Sequence, residues 1–192
     1  TISSDSITIT TPLPPVPDGM IELSYDDDTF ENEFNSGKSN FSAVRFTAYD
    51  GGEDLKRFRW YQIGSGGAFY INIWEDNNGM PADTAIYSYL QASGNKSGWN
   101  EKDYSAENIS VAGNFWIGTK EFSTSKPFGL DVTTTSENSF QKEGENGEWI
   151  QVEGNLAYRV FLDIDCSNYD CTGECGNLVV DECGICGGDD ID

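Results

Sequence analysis

The feature that most constrains this chain is a period of two. Ala43–Tyr49, Phe58–Tyr61, Ala68–Trp74, Asn114–Gly118, Trp149–Val152 and Leu156–Leu162 are short segments rich in β-branched and aromatic residues, with side chains alternating between two faces. Turn-forming clusters separate them: Gly51-Gly52, Gly64-Ser65-Gly66-Gly67, Asn77-Asn78-Gly79, Gly94-Asn95, Gly144-Glu145-Asn146-Gly147 and Gly154-Asn155. No stretch of about eleven residues carries a helical period. The pattern predicts an all-β chain of about nine or ten strands, an antiparallel jelly-roll-like β-sandwich spanning residues 20–163. An N-terminal extended strand with a Pro-rich linker (1–19) precedes it, and a small disulfide-rich tail (164–192) follows.

The N-terminal zone has its own pattern. Ile7, Ile9, Thr11 and Leu13 fall on one face of an extended strand, and Pro14-Pro15-Val16-Pro17 continues as a stiff polyproline-type spacer. A short β-branched strand on a spacer suits strand addition, in which one subunit completes the sheet edge of the next. A head-to-tail contact that does not close into a ring makes a filament. The sequence therefore leads to a nonenzymatic extracellular structural protein whose main partner is a copy of itself.

Charge narrows the alternatives. The 192 residues hold 33 acidic and 11 basic side chains and no histidine, a formal net charge of −22. Such a chain repels phosphate backbones and anionic headgroups, so neither nucleic acid nor membrane insertion is expected. Without histidine there is no His-based triad, no imidazole base and no His-ligated metal. The start Thr1-Ile2-Ser3, without methionine, leads to the expectation of a processed or excised form outside the cell or at its surface.

The tail concentrates both acid and sulfur. All five cysteines, Cys166, Cys171, Cys175, Cys183 and Cys186, lie in one stretch, with Asp163, Asp165, Asp170, Asp181, Asp189 and Asp190 around them. A local disulfide framework in an oxidising compartment accounts for the sulfurs, and the odd count leaves one cysteine seeking a partner. Carboxylates on glycine-permitted turns favour a hard cation, so calcium is the expected cofactor, ahead of disulfides without metal and of zinc on Cys171, Cys175, Cys183 and Cys186. Asp181-Glu182-Cys183-Gly184-Ile185-Cys186-Gly187-Gly188-Asp189 resembles the Asp-Glu-Cys-Gly-Val-Cys-Gly-Gly-Asp repeat of secreted bacterial surface proteins and, more loosely, the calcium repeats of thrombospondin type 3.

The β zone resembles a noncatalytic accessory sandwich of secreted multidomain proteins, through Tyr25–Asn32, Ala43–Thr47, Ile73–Pro81 and Gly98–Glu101. That resemblance implies scaffolding or binding and transfers no catalytic residue. Asp26-Asp27-Asp28 with Glu31 and Glu33 offers paired carboxylates for a glycosidase, but a solvated acidic loop or a second calcium site is the plainer expectation. Five tryptophans and nine tyrosines make a sugar-stacking platform the main alternative function, that of a carbohydrate-binding module on a secreted hydrolase. Asn40, Asn95 and Asn108 head N-linked sequons. Ser6 and Thr84 sit in Asp-Ser/Thr-apolar sequences that resemble a bacterial O-glycosylation signal.

Overall fold

A computed structural model describes residues 16, 20–48, 52–92, 94–122 and 126–163. These contain fifteen strands and no α-helix. They are β1 Met20–Leu23, β2 Asn32–Phe34, β3 Phe41–Thr47, β4 Glu53–Gln62, β5 Phe69–Asn77, β6 Met80–Pro81, β7 Tyr87–Gln91 and β8 Gly98–Asp103. The others are β9 Ile109–Val111, β10 Asn114–Glu121, β11 Phe128–Asp131, β12 Ser139–Lys142, β13 Trp149–Gln151, β14 Asn155–Leu156 and β15 Tyr158–Asp163.

All pairings are antiparallel and form two sheets, as the alternation predicts. The first runs β1-β15-β4, with β8 and β9 on the far side of β4; β11, β2 and β14 continue it at one end. The second runs β13-β12-β3-β10-β5, with β7 and the short β6 beyond β5. Strands outnumber the nine or ten expected because several are too short or too charged to alternate visibly. β8 reads Gly-Trp-Asn-Glu-Lys-Asp, yet Glu101 neutralises Arg57 and Arg59 of the neighbouring β4, so its charges are paired rather than misplaced.

The inner faces of both sheets form the main core. Val44 and Phe46 of β3, Phe69, Ile71 and Ile73 of β5, and Phe115 and Ile117 of β10 meet Leu55, Phe58 and Trp60 of β4 and Tyr158, Val160 and Leu162 of β15. Each is fully or almost fully withdrawn from water, worth roughly 1.5–3 kcal/mol per large side chain. Aromatic rings meet edge to face through this core: Trp60 on Phe69 at 5.5 Å, and Phe128 on Tyr158 at 5.3 Å between centroids. A polar triangle is buried with them: the Tyr158 hydroxyl lies 2.8 Å from Ser42 Oγ and 3.1 Å from Thr119 Oγ1, which are themselves 2.9 Å apart.

The acidic loop after β1 is not simply solvated. Asp26 is buried and receives Arg159 of β15 through both Nε and Nη2, while Asp28 and Glu22 hold the same guanidinium at 2.6 and 3.2 Å. Arg159 also lies over Trp99 at 4.5 Å from its ring. The loop is thus pinned to the outer face of the first sheet by a basic residue 133 positions away, a pairing that composition alone does not reveal. Burial pushes the Asp26 carboxyl up against the pull of Arg159.

Candidate functional site

The outer face of the second sheet carries a groove, and strand register explains it. Cross-strand partners place residues on this face in three rows. One row is Lys142, Phe41, Lys120, Tyr70 and Leu90; another is Arg45, Trp116 and Trp74. Between them runs Phe140, Ala43, Gly118, Asn72 and Ser88, which is nearly bare of side-chain bulk from Ala43 to Asn72. Over Ala43 and Gly118 the rings of Phe41, Trp74, Trp116 and Phe140 pack together and bury both residues, so the face opens only at its β5 end, around Asn72. Gly118 cannot be larger, since an added Cβ would lie 1.9 Å from the Ser42 carbonyl oxygen.

Loops beside β5 border this opening and make of it a cavity of about 380 Å³, within the size range of small-molecule sites. Phe41, Tyr70 and Trp74 supply apolar wall, and Asp83, Thr84 and Ser88 supply carboxylate and hydroxyls. Lys120 and Glu145 form an ion pair at the rim. Asn72 lies in the floor. It is 6% exposed, yet its side-chain amide has no hydrogen-bond partner among the described residues. Its amide atoms keep contact with water in the groove, unlike the sealed and unpartnered carboxyl of Glu121. A ligand hydroxyl in the groove would find there both a donor and an acceptor.

Phe41, Ala43, Trp74, Trp116 and Phe140 together form a second, smaller hydrophobic cluster, with Trp149 against it. Trp116 Nε1 donates to Asp76 at 2.8 Å, and Arg45 stands over the Trp116 ring at 5.8 Å. Lys120 and Lys142 both approach the Phe41 ring, at 5.1 and 5.5 Å. The expected tryptophan platform is therefore absent: Trp60, Trp74 and Trp116 are buried, and Trp99 and Trp149 are half-buried. The aromatics serve mainly as walls and floor, and Tyr70 is the half-exposed ring of the groove.

A second cavity of about 580 Å³ opens between β11, β13 and the turn before β14, lined by Leu130, Val132 and Val152 with Glu137 and Glu153. Both of these carboxylates face water. Among the described residues no group of three or more Asp, Glu, Cys or His side chains is placed to hold a metal. Nearby, Asp131 is buried and accepts hydrogen bonds from the backbone N–H and hydroxyl of both Thr133 and Thr134. Burial alone would raise its carboxyl, but these donors outweigh it and hold the group below the usual carboxylate range.

The sequence-derived candidates fall as follows. Asp163 ends β15 with its carboxylate 3.3 Å from Lys56 Nζ. Asp165, Asp170, Asp181, Asp189, Asp190 and all five cysteines lie outside the described residues, as do Ile7, Ile9, Thr11, Leu13 and Ser6. Of the glycosylation candidates, Asn40 donates to Ser36 O and accepts from Gly144 N, and Asn95 is buried with both polar atoms engaged by Gly67 O and Gln91. Asn108 is exposed in a left-handed turn, and exposed Thr84 stands on the groove wall. Sequence reasoning missed the role of Asn72. Its only signal was a polar residue between Tyr70 and Trp74 on a strand whose other face is apolar.

No family model and no curated protein matches this chain. Its fold does recur among solved structures. One is the clostridial cysteine protease Cwp84 after propeptide cleavage, with a TM-score of 0.61 and 11% identity over 78% of this chain and 41% of that one. Another comprises the cysteine protease and lectin-like domains of Cwp84, a surface layer associated protein of Clostridium difficile. Here the TM-score is 0.57 and the identity 10%, over 78% of this chain and 37% of that one. The chain thus spans about two fifths of the length of these neighbours, and at such identities the likeness is one of fold.

Proposed function

We propose that this chain is a noncatalytic binding domain of an extracellular protein, and that its groove on the second sheet takes a saccharide. The observation that carries the reading is the convergence on one cavity of the Asn72 amide, the Thr84 and Ser88 hydroxyls, the Asp83 carboxylate and the Tyr70 ring. Saccharides present this combination: hydroxyls that both donate and accept, and C–H faces that pack on rings. The Lys120–Glu145 pair and Asp83 leave the groove without a net positive charge, which favours neutral sugars over uronic or sulfated ones. The fold shared with neighbours that include a lectin-like domain supports the reading without assigning a ligand. Calcium in the Cys/Asp-rich tail remains part of the proposal, as the cation that would offset the crowded carboxylates there.

The test is a glycan array with the full chain, followed by titration calorimetry on any hit. Asn72→Ala and Tyr70→Ala should each weaken binding by roughly tenfold or more, the cost of one lost buried hydrogen bond or ring contact. Tyr61→Ala on the other sheet should leave it unchanged. Binding indifferent to Asn72, or no binding across neutral and acidic glycans, would refute the proposal.

A further inference from the structure

The second sheet ends in a strand without the usual protection of a sheet edge. β7 pairs with β5 on one side and with no strand on the other among the described residues, so alternate N–H and C=O groups point outward. Native edges are normally guarded by charge, proline, bulges or extreme shortness. Ile86-Tyr87-Ser88-Tyr89-Leu90-Gln91 has no charged residue, no Pro and no Gly, in a chain that is 23% charged. Ile86, Tyr89 and Leu90 are 48%, 36% and 37% exposed. Phe122, 52% exposed, extends the patch, with its ring 5.8 Å from that of Tyr70, the cross-strand partner of Leu90.

We propose that β7 is the acceptor edge for the segment Ile7–Leu13 of a second copy of this chain. The segment matches the edge in chemistry: it is uncharged and β-branched at alternate positions. Successive N–H groups of a strand point to opposite sides, so Pro12 removes a donor only from the side shared with Thr8 and Thr10. The other side, with Ile7, Ile9, Thr11 and Leu13, keeps every donor and is the side that pairs. Pro12 then blunts the new outer edge, so that addition stops at one strand.

The layout of the sandwich favours a second copy over the chain's own edge. Tyr87 of β7 meets Tyr104, just after β8, at 5.5 Å, which puts β7 over the β8 side of the first sheet. β1, to which the N-terminal segment leads, lies on the β15 side, with β4 between. The acceptor edge and the start of β1 therefore lie at opposite sides of one molecule, and a segment leaving β1 would reach the edge of a second copy through a heterologous contact that repeats without closing. Ile86–Gln91 and Ile7–Leu13 carry no charge of their own, and beside the edge stand Lys102, 4.6 Å from the Tyr89 ring, and its ion-pair partner Glu107.

Sedimentation velocity of the full chain across a concentration series reads the outcome. The wild type should form progressively larger species. A donor-side variant, Ile7→Asp with Ile9→Asp, and an acceptor-side variant, Ile86→Lys with Leu90→Lys, should each lose association while keeping the wild-type circular dichroism. Mixed in equal amounts, the two variants should form dimers and stop, because one retains the edge and the other retains the strand. A wild type that stays monomeric at every concentration, variants that assemble like wild type, or a mixture that stays monomeric would each overturn the proposal.

Discussion

Glu121 is the least comfortable group in the core, and its removal gives a quantitative test of the sandwich. It ends β10 opposite Phe69, on the same inner face as Thr119, and is 2% exposed. Neither carboxyl oxygen has a hydrogen-bond partner among the described residues. Burial alone therefore drives its pKa from the ordinary 4.5 to about 8. Below pH 4.5 both folded and unfolded chains carry the proton, and Glu121 does not oppose folding. As pH rises the unfolded chain releases the proton and the native one retains it, so stability falls until the native group ionises near pH 8. At about 1.4 kcal/mol per pH unit, the loss between pH 5.5 and 7.5 is about 2.5 kcal/mol.

Glu121→Gln keeps the shape and removes the titration. Urea unfolding of wild type and variant, measured in parallel from pH 5.5 to 7.5, isolates Glu121 because every other group contributes equally to both curves. The variant should gain on wild type by about 2.5 kcal/mol across that window, equivalent to roughly 5–10 °C in Tm for a domain of this size. Glu121→Leu should be more stable than either at pH 7.5, since it also removes the buried polar oxygens. A wild-type-minus-variant difference that stays constant with pH would mean that Glu121 ionises as an ordinary carboxylate, and that the packing described around it is wrong.

Two further perturbations probe the sheets. Gly118→Ala should cost about 3 kcal/mol, the upper end of the range for overpacking, because the clash is with the Ser42 backbone and no rotamer relieves it; a loss below about 0.5 kcal/mol in thermal unfolding would contradict the close approach of β3 and β10. Arg159→Met should cost about 3–5 kcal/mol by stranding the Asp26 carboxylate, and adding Asp26→Leu should restore most of it. If the double variant is as unstable as the single one, the Arg159–Asp26 pair is not what pins the loop.

The fold was legible in the sequence because burial of one sheet face writes itself as alternation. Phe69, Ile71 and Ile73 against Tyr70, Asn72 and Trp74 announced a strand with two different faces, and the structure places the first set in the core. What each residue of the second set does was not legible, since that depends on register with β3, β7 and β10, which local sequence does not encode. Gly118 closes one of the alternating segments, but nothing in its local sequence says that Ala43 and Asn72 lie beside it. The acidic loop misled for a related reason: three consecutive aspartates look solvated, and the arginine that buries one of them lies at the other end of the domain. β8 escaped notice because its charges are satisfied across the sheet rather than presented to water.

The net charge takes on a different meaning once its partners are located. All eleven basic residues lie between Lys38 and Arg159, and several are committed: Arg57 and Arg59 to Glu101, Arg159 to three carboxylates, Lys56 to Asp54 and Asp163, Lys102 to Glu107, Lys120 to Glu145. With these six of the eleven basic residues paired to carboxylates, much of the positive charge is already neutralised. The two readings proposed for this domain both work through uncharged groups: the amide of Asn72 with the groove around it, and the edge of β7 that no strand covers among the described residues. Neutral hydroxyls suit the first, and a neutral β-strand suits the second. With phosphate-rich partners not expected of so acidic a chain, hydrogen bonding without ion pairing is the chemistry proposed for both surfaces.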